Sequence, residues 1–230
     1  MDASLVAGLK ARDRERWLAT LWAPPQARAA LLAIHAYDVE QQRVVADARE
    51  PLLAEIRLAW WREQLEGLAR GQLAPPQPLL RALRHQARPR GVDLAALTAL
   101  EEGLLPLLTP GPLDLMALAR ARGAPLFRAL LTAILGGPPT PGEAADAEAA
   151  GTRFALGRLW RGGWGAAAAR IEAAPRPPFP PAPERPLPPS LGVLDALAAE
   201  DAARLAAGRP LASAASVGRQ WRMARAALGL

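Results

Sequence analysis

The chain has no cysteine, and lysine occurs once, at Lys10. The first absence excludes disulfides, thiolate metal sites and a cysteine nucleophile. Histidine is scarce too, and His35 and His85 alone cannot build a histidine-rich metal site. No stretch reaches the ~18 uninterrupted apolar residues that a membrane-spanning helix needs. Met1 to Lys10 contains the acidic Asp2 and no apolar core of signal-peptide length. A cytoplasmic protein is expected, with peripheral contact on the inner membrane left open.

What is present is apolar and arginine-rich. The 230 residues are 51% hydrophobic and 22% charged, a globular balance. A single domain over 1–230 is expected, large enough to bury a sizeable core. The net charge is +6 with a pI near 11.1, and nearly all of the positive charge is arginine. That surplus suits an anionic partner such as a diphosphate, an anionic lipid or a nucleic acid. Arginines alternate with Asp and Glu along the chain, however, and no single basic patch is interleaved with aromatics. No nucleic-acid partner is expected on that pattern.

Hydrophobic periodicity predicts helices throughout. Asp2 and Asp13 are placed to cap two short helices, the second running to Trp22 before Pro24-Pro25. Two long central helices are expected over 26–48 and 51–70, followed by helices over 79–87 and 93–108, the last capped by Asp93. The segment 113–135 reads as a long helix interrupted or kinked at Gly123-Ala124-Pro125, because proline removes a ladder hydrogen bond. Residues 143–173 follow a helical pattern weakened by Gly162, Gly163 and Gly165. The proline-rich segment 174–190 excludes regular helix and reads as an extended strap, with a ligand for an SH3-type partner as the competing reading. Two helices close the chain, near 191–207 and 211–228. With no strand pattern and no repeat, the fold class is an all-α bundle.

Function concentrates in the first long helix. It is apolar on most sides, yet Asp38, Gln41 and Gln42 are set into it, and residues three and four apart share a helical face. Polar side chains on a buried face need partners or a ligand. Tyr37, Asp38, Gln41 and Gln42, together with Arg43, Arg57 and Trp61 from the central pair, are therefore candidate ligand-binding residues. His35 stands three before Asp38, a pair with no nucleophile beside it that reads as structural.

Three segments carry a resemblance: RWLATLWAP at 16–24, ALLAIHAYDVE at 30–40 and EIRLAWWREQLEG at 55–67. In order and spacing they resemble the squalene/phytoene synthase family, and more closely its divergent squalene/phytoene synthase-like branch, which includes a complex I assembly factor. That branch carries an A-F-N-V-E signature where this chain has Ala36-Tyr37-Asp38-Val39-Glu40. The weaker segment 151–161 extends the likeness to about two thirds of the chain. The resemblance implies a helical bundle of the isoprenoid (terpenoid) synthase type.

It also implies where chemistry would occur. Family enzymes hold two prenyl diphosphates through Mg²⁺, gripped by two aspartate-rich motifs on facing helices. Mg²⁺ demands an octahedron of hard oxygens, which carboxylates, diphosphate and water provide. Here Gln42 and Arg43 stand in place of the paired aspartates and Ala46 in place of the third. In the second motif Arg158 replaces asparagine, and Arg161-Gly162 keeps the arginine and loses the aspartate. If catalysis survives, Asp38, Glu40 and Asp47 must serve the first metal site.

Two readings of the replacement stay open. Arg43, Arg57, Arg158 and Arg161 could line a cavity mouth and bind phosphate directly, or they could pair with Asp38, Glu40 and Glu63 as structural ion pairs. The expectation is a non-catalytic protein with neither cofactor nor metal. It would bind an isoprenoid diphosphate or phospholipid-like ligand, act with a protein partner in respiratory complex assembly, or do both. The competing expectation is a Mg²⁺-dependent prenyltransferase joining two prenyl diphosphates head to head. Separately, Trp221 with Arg219, Arg222 and Arg225 makes a basic amphipathic segment for which anionic lipid is one partner and bulk solvent the alternative.

Overall fold

The computed structural model describes residues 2–230, and among them every regular element is a helix. The first helix, α1 (Ala3–Arg12), begins where the Asp2 carboxylate accepts the Ser4 N–H at 2.8 Å. The next, α2 (Arg14–Leu21), is capped in the same way by Asp13. Pro25 and Pro51 open the two long central helices, α3 (Pro25–Ala46) and α4 (Pro51–Ala69), in the first turn, where no amide donor is missed.

The middle of the chain is less regular than its periodicity predicts. Helix α5 (Pro78–Ala82) runs into a π turn over Leu83–Ala87 and a 3₁₀ turn over Arg88–Arg90. Asp93 caps Ala95 as expected, but 93–108 is not one helix. It is a 3₁₀ segment, Ala96–Gly103, followed by the single turn α6 (Leu105–Leu108). The cause is close packing. A Cβ on Gly103 would lie 2.8 Å from the Leu118 carbonyl, so the segment follows its neighbour's surface rather than α-geometry.

That neighbour, α7 (Leu115–Leu135), is uninterrupted, with Pro125 inside it. What holds it together is contact with α8 (Pro141–Leu159). A Cβ on Gly123 would meet the Gly151 carbonyl at 2.0 Å, and one on Gly151 the Gly123 carbonyl at 2.1 Å. The two backbones touch where both side chains are absent. Past α8 the expected helix ends, because Gly162, Gly163 and Gly165 all take positive φ. Short α9 (Ala168–Ala173), α10 (Pro189–Ala206) and α11 (Val217–Leu228) complete the bundle.

Two apolar clusters fill it. The larger gathers Leu31, Ile34 and Tyr37 of α3 with Leu126, Phe127 and Leu130 of α7 and Leu194 of α10. The smaller joins Val44, Leu58, Leu118, Leu156 and Trp164. Fully burying each such side chain is worth about 1.5–3 kcal/mol. The proline strap lies across the outside: Asp146 on α8 accepts from the Glu184 N–H at 2.8 Å and from Arg185 at 2.9 Å. Arg62, Glu66 and Arg70 follow one another at intervals of four on α4. Arg62 turns to Glu101 at 2.8 Å, leaving Glu66 and Arg70 3.7 Å apart.

Candidate functional site

The centre of the site is Asp38, fully buried on α3. Arg122 of α7 donates to both its oxygens, Nε to Oδ1 and Nη2 to Oδ2, each at 2.8 Å. Arg16 of α2 donates a further bond to Oδ2. Burial alone would raise the Asp38 pKa, but the two guanidiniums outweigh it and hold the carboxyl well below its usual range. The Arg122 guanidinium also lies over the Trp164 ring, 5.2 Å from its centroid.

The pairing continues outward. Arg16 contacts Asp13 at 3.0 Å, and Asp13 meets Arg158 at 2.9 Å. Arg158 stands 3.8 Å from Glu15, which is bound by Arg219 of α11. Arg219 contacts Asp201 at 2.7 Å and Glu200 at 3.4 Å, and Asp201 is also gripped by Arg161. The carboxylates Asp13, Glu15, Asp38, Glu200 and Asp201 are bound by Arg16, Arg122, Arg158, Arg161 and Arg219, and Glu200 at the outer end also meets Arg204 at 3.0 Å and Arg222 at 3.3 Å. A continuous ionic chain crosses α2, α3, α7, α8, α10 and α11, with guanidiniums in excess at its outer end. Buried charges survive because each has a partner.

His35 lies against this chain. Its burial, and then the positive charge of Arg16, push its pKa down to about 3, so the imidazole is neutral. Tyr37 packs edge-on against Trp61, with ring centroids 5.9 Å apart. Its hydroxyl is driven above its ordinary pKa by burial, and then by Glu101 and Asp38. Gln41 is buried on the same helix, and both of its amide atoms lack a protein hydrogen-bond partner. Gln42 is half-buried beside it.

The other expected residues gather elsewhere. A groove of about 300 Å³ between the end of α3 and α4 is lined by Glu40, Arg43, Val44, Asp47, Arg57, Trp60 and Trp61. Arg43 is tied to Glu40 through bonds of 3.0 and 2.7 Å, whereas Arg57 is in no ion pair among the described residues. So the four arginines do not converge on one mouth. Arg43 and Arg57 share the groove, while Arg158 and Arg161 are held in the ionic chain by Asp13, Glu15 and Asp201. Of the expected partners, only Glu40 pairs with one of these four arginines, Arg43; Asp38 pairs instead with Arg16 and Arg122, and Glu63 is exposed and takes no part.

The donors that a metal would need are spent. Both Asp38 oxygens carry arginine hydrogen bonds, and Asp47 shares its groove with Glu40, whose two oxygens both face Arg43. Among the described residues no group of three or more His, Cys, Asp or Glu side chains is arranged to hold a metal ion. This donor set does not fit Mg²⁺.

The all-α bundle, with α3 and α7 joined at its centre by Asp38 and Arg122, is of the isoprenoid-synthase type. Residues 9–162 match the family model described as squalene/phytoene synthase, and the chain belongs to the squalene/phytoene synthase family. A curated relative from Drosophila melanogaster, named NADH dehydrogenase (ubiquinone) complex I, assembly factor 6 homolog, is 31% identical over 86 residues. The match covers 35% of this chain and 26% of that protein, so the chain spans about a quarter of the relative's length. No solved structure matches. None of the described helices is long and apolar enough to cross a membrane.

Proposed function

We propose that this protein is a non-catalytic member of its family, acting in respiratory complex assembly and holding a phosphorylated isoprenoid or phospholipid-like ligand in the α3–α4 groove. The observation that carries the first part is the Asp38–Arg122–Arg16 cluster. To ligate Mg²⁺, Asp38 would have to abandon two buried guanidiniums. Leaving such a charge uncompensated costs about 3–5 kcal/mol. Arg16 and Arg122 occupy both oxygens of Asp38, so this acid has a structural task.

The process rests on the Drosophila melanogaster relative and its printed name. The ligand rests on the groove. Arg57 has its guanidinium free, Arg43 stands beside it, and Trp60 and Trp61 supply an apolar wall. Arginine binds phosphate through parallel N–H donors without a metal.

Purified protein incubated with farnesyl or geranylgeranyl diphosphate and Mg²⁺ is expected to release no pyrophosphate. Turnover that disappears in Asp38→Ala would overturn the non-catalytic reading. A deletion strain is expected to lose NADH-dependent respiration while keeping its carotenoids and hopanoids; the reverse pattern assigns the protein to isoprenoid synthesis. Native mass spectrometry separates the two halves of the proposal. A co-purified phosphorylated lipid that is lost in Arg57→Ala supports the ligand, and an empty protein leaves assembly alone.

A further inference from the structure

Helix α11 is divided by its own twist. Arg219 and Met223 face inward, the former into the ionic chain. Val217, Trp221, Arg225 and Leu228 fall on the opposite side at intervals of four, four and three, which places them on one stripe. Val217 is 83% exposed, Trp221 66% and Leu228 64%. Three large apolar side chains facing water on one short helix are unusual and mark a contact surface.

Charge identifies the contact. The helix carries Arg219, Arg222 and Arg225 and no acid. Beside the stripe a cleft of about 250 Å³ opens between Ala196 of α10 and α11, lined by Gly218, Trp221, Arg222, Arg225 and Leu230, with no Asp or Glu side chain. Arg222 is ion-paired with Glu200 at 3.3 Å, and Arg225 has no ion-pair partner among the described residues. The second apolar surface, Leu52, Leu53, Ile56 and Trp60 on α4, differs in this respect, since Glu55 and Glu63 share that helix. An indole flanked by guanidiniums, with aliphatic side chains in line, matches the boundary between phosphate headgroups and acyl chains.

We propose that the outer face of α11 docks on an anionic phospholipid surface, with a lipid phosphate in the cleft between Arg222 and Arg225 and with Val217, Trp221 and Leu228 entering the acyl boundary. These residues lie outside 9–162, so the surface is independent of the family core and of the catalytic question. It deepens the placement of an assembly factor at a membrane without requiring a spanning helix.

The test is co-sedimentation of the full chain with vesicles of phosphatidylcholine alone, or of phosphatidylcholine and phosphatidylglycerol in equal parts. Binding is expected only to the second, falling as salt rises. Reversing one charge at the surface removes about two cationic contributions, so Arg225→Glu is expected to weaken binding on the order of tenfold or more. Trp221→Ala is expected to weaken it to a similar degree. Both positions are exposed, and the melting temperature of each variant serves as the control for folding. Equal binding to both vesicle types, or binding untouched by the two substitutions in folded protein, overturns the proposal. So does an absence of binding, and a Trp221-dependent dimer in that case assigns the face to a second copy of the chain.

Discussion

Arg122 follows Asp38 by 84 positions, yet it meets both oxygens of that carboxylate in a planar, two-pronged contact. The fork-to-fork geometry fixes α7 against α3. Breaking one side of a buried pair costs more than the pair contributes, because the survivor is left charged in a dry interior. Asp38→Ala strands Arg122 and leaves Arg16 with Asp13 alone, and is expected to destabilise the fold by about 3–5 kcal/mol, measured by urea denaturation. Asp38→Ala combined with Arg122→Met is expected to recover part of that loss. A single variant as stable as the parent would show that the cluster is not structural.

The apolar framework is legible in the sequence because its signals are local. Asp2, Asp13, Pro25 and Pro51 mark helix starts, and the stripe of Leu58, Trp61, Leu65 and Leu68 marks the buried side of α4. Asp38 is legible as a polar residue in apolar company. Its partners are not, since Arg16 and Arg122 lie on other helices and nothing within either segment points to α3. Arg219 is the extreme case, meeting Glu15 across 204 positions. No local signal exposes them: Arg16 follows Asp13-Arg14-Glu15 and Arg122 follows Arg120, so both read as members of solvated charged runs. Pro125 misleads for a related reason. Its local effect is disruptive, but the backbone contact between Gly123 and Gly151 keeps the helix in place.

That glycine pair yields its own prediction. A methyl group at Gly123 would overlap the Gly151 carbonyl at 2.0 Å, and backbone cannot swing aside as a side chain can. Gly123→Ala therefore forces α7 and α8 apart, although alanine is the better helix former. Overpacking of this kind costs about 1–3 kcal/mol. The expected result is a melting temperature lower by several degrees, at about 2–4 °C per kcal/mol for a chain of this size. Gly8→Ala, in the open on α1, is the control and should hold or raise it.

The proline strap is pinned at one polar point, where Asp146 holds the Glu184 amide and Arg185. Asp146→Ala removes both bonds while leaving Leu187 packed on the core. Limited proteolysis is expected to cut within 176–185 faster in the variant. Global stability should fall by about 1–3 kcal/mol, most of it from the amide bond to the carboxylate, because the Arg185 pair is largely exposed. Unchanged cleavage would mean that proline stiffness alone keeps the strap extended.

His35 sets the response to acid. Its pKa in the folded protein lies near 3, against an ordinary value of 6.5, so below pH 6.5 the unfolded chain binds a proton that the native state refuses. Stability is therefore complete above pH 6.5 and falls as pH drops toward 3, by about 1.4 kcal/mol per pH unit. Asp38 acts later. Its folded pKa is also lowered, so its contribution is present above the unfolded carboxylate value near 4 and is lost only below it. The two groups thus separate along the pH axis. His35→Leu, which is apolar and cannot titrate, is expected to flatten the decline between pH 6.5 and 4.5 and to leave the steep loss below pH 4 intact. Denaturation midpoints taken across that range test it, and an unchanged slope in the variant would remove His35 from the account.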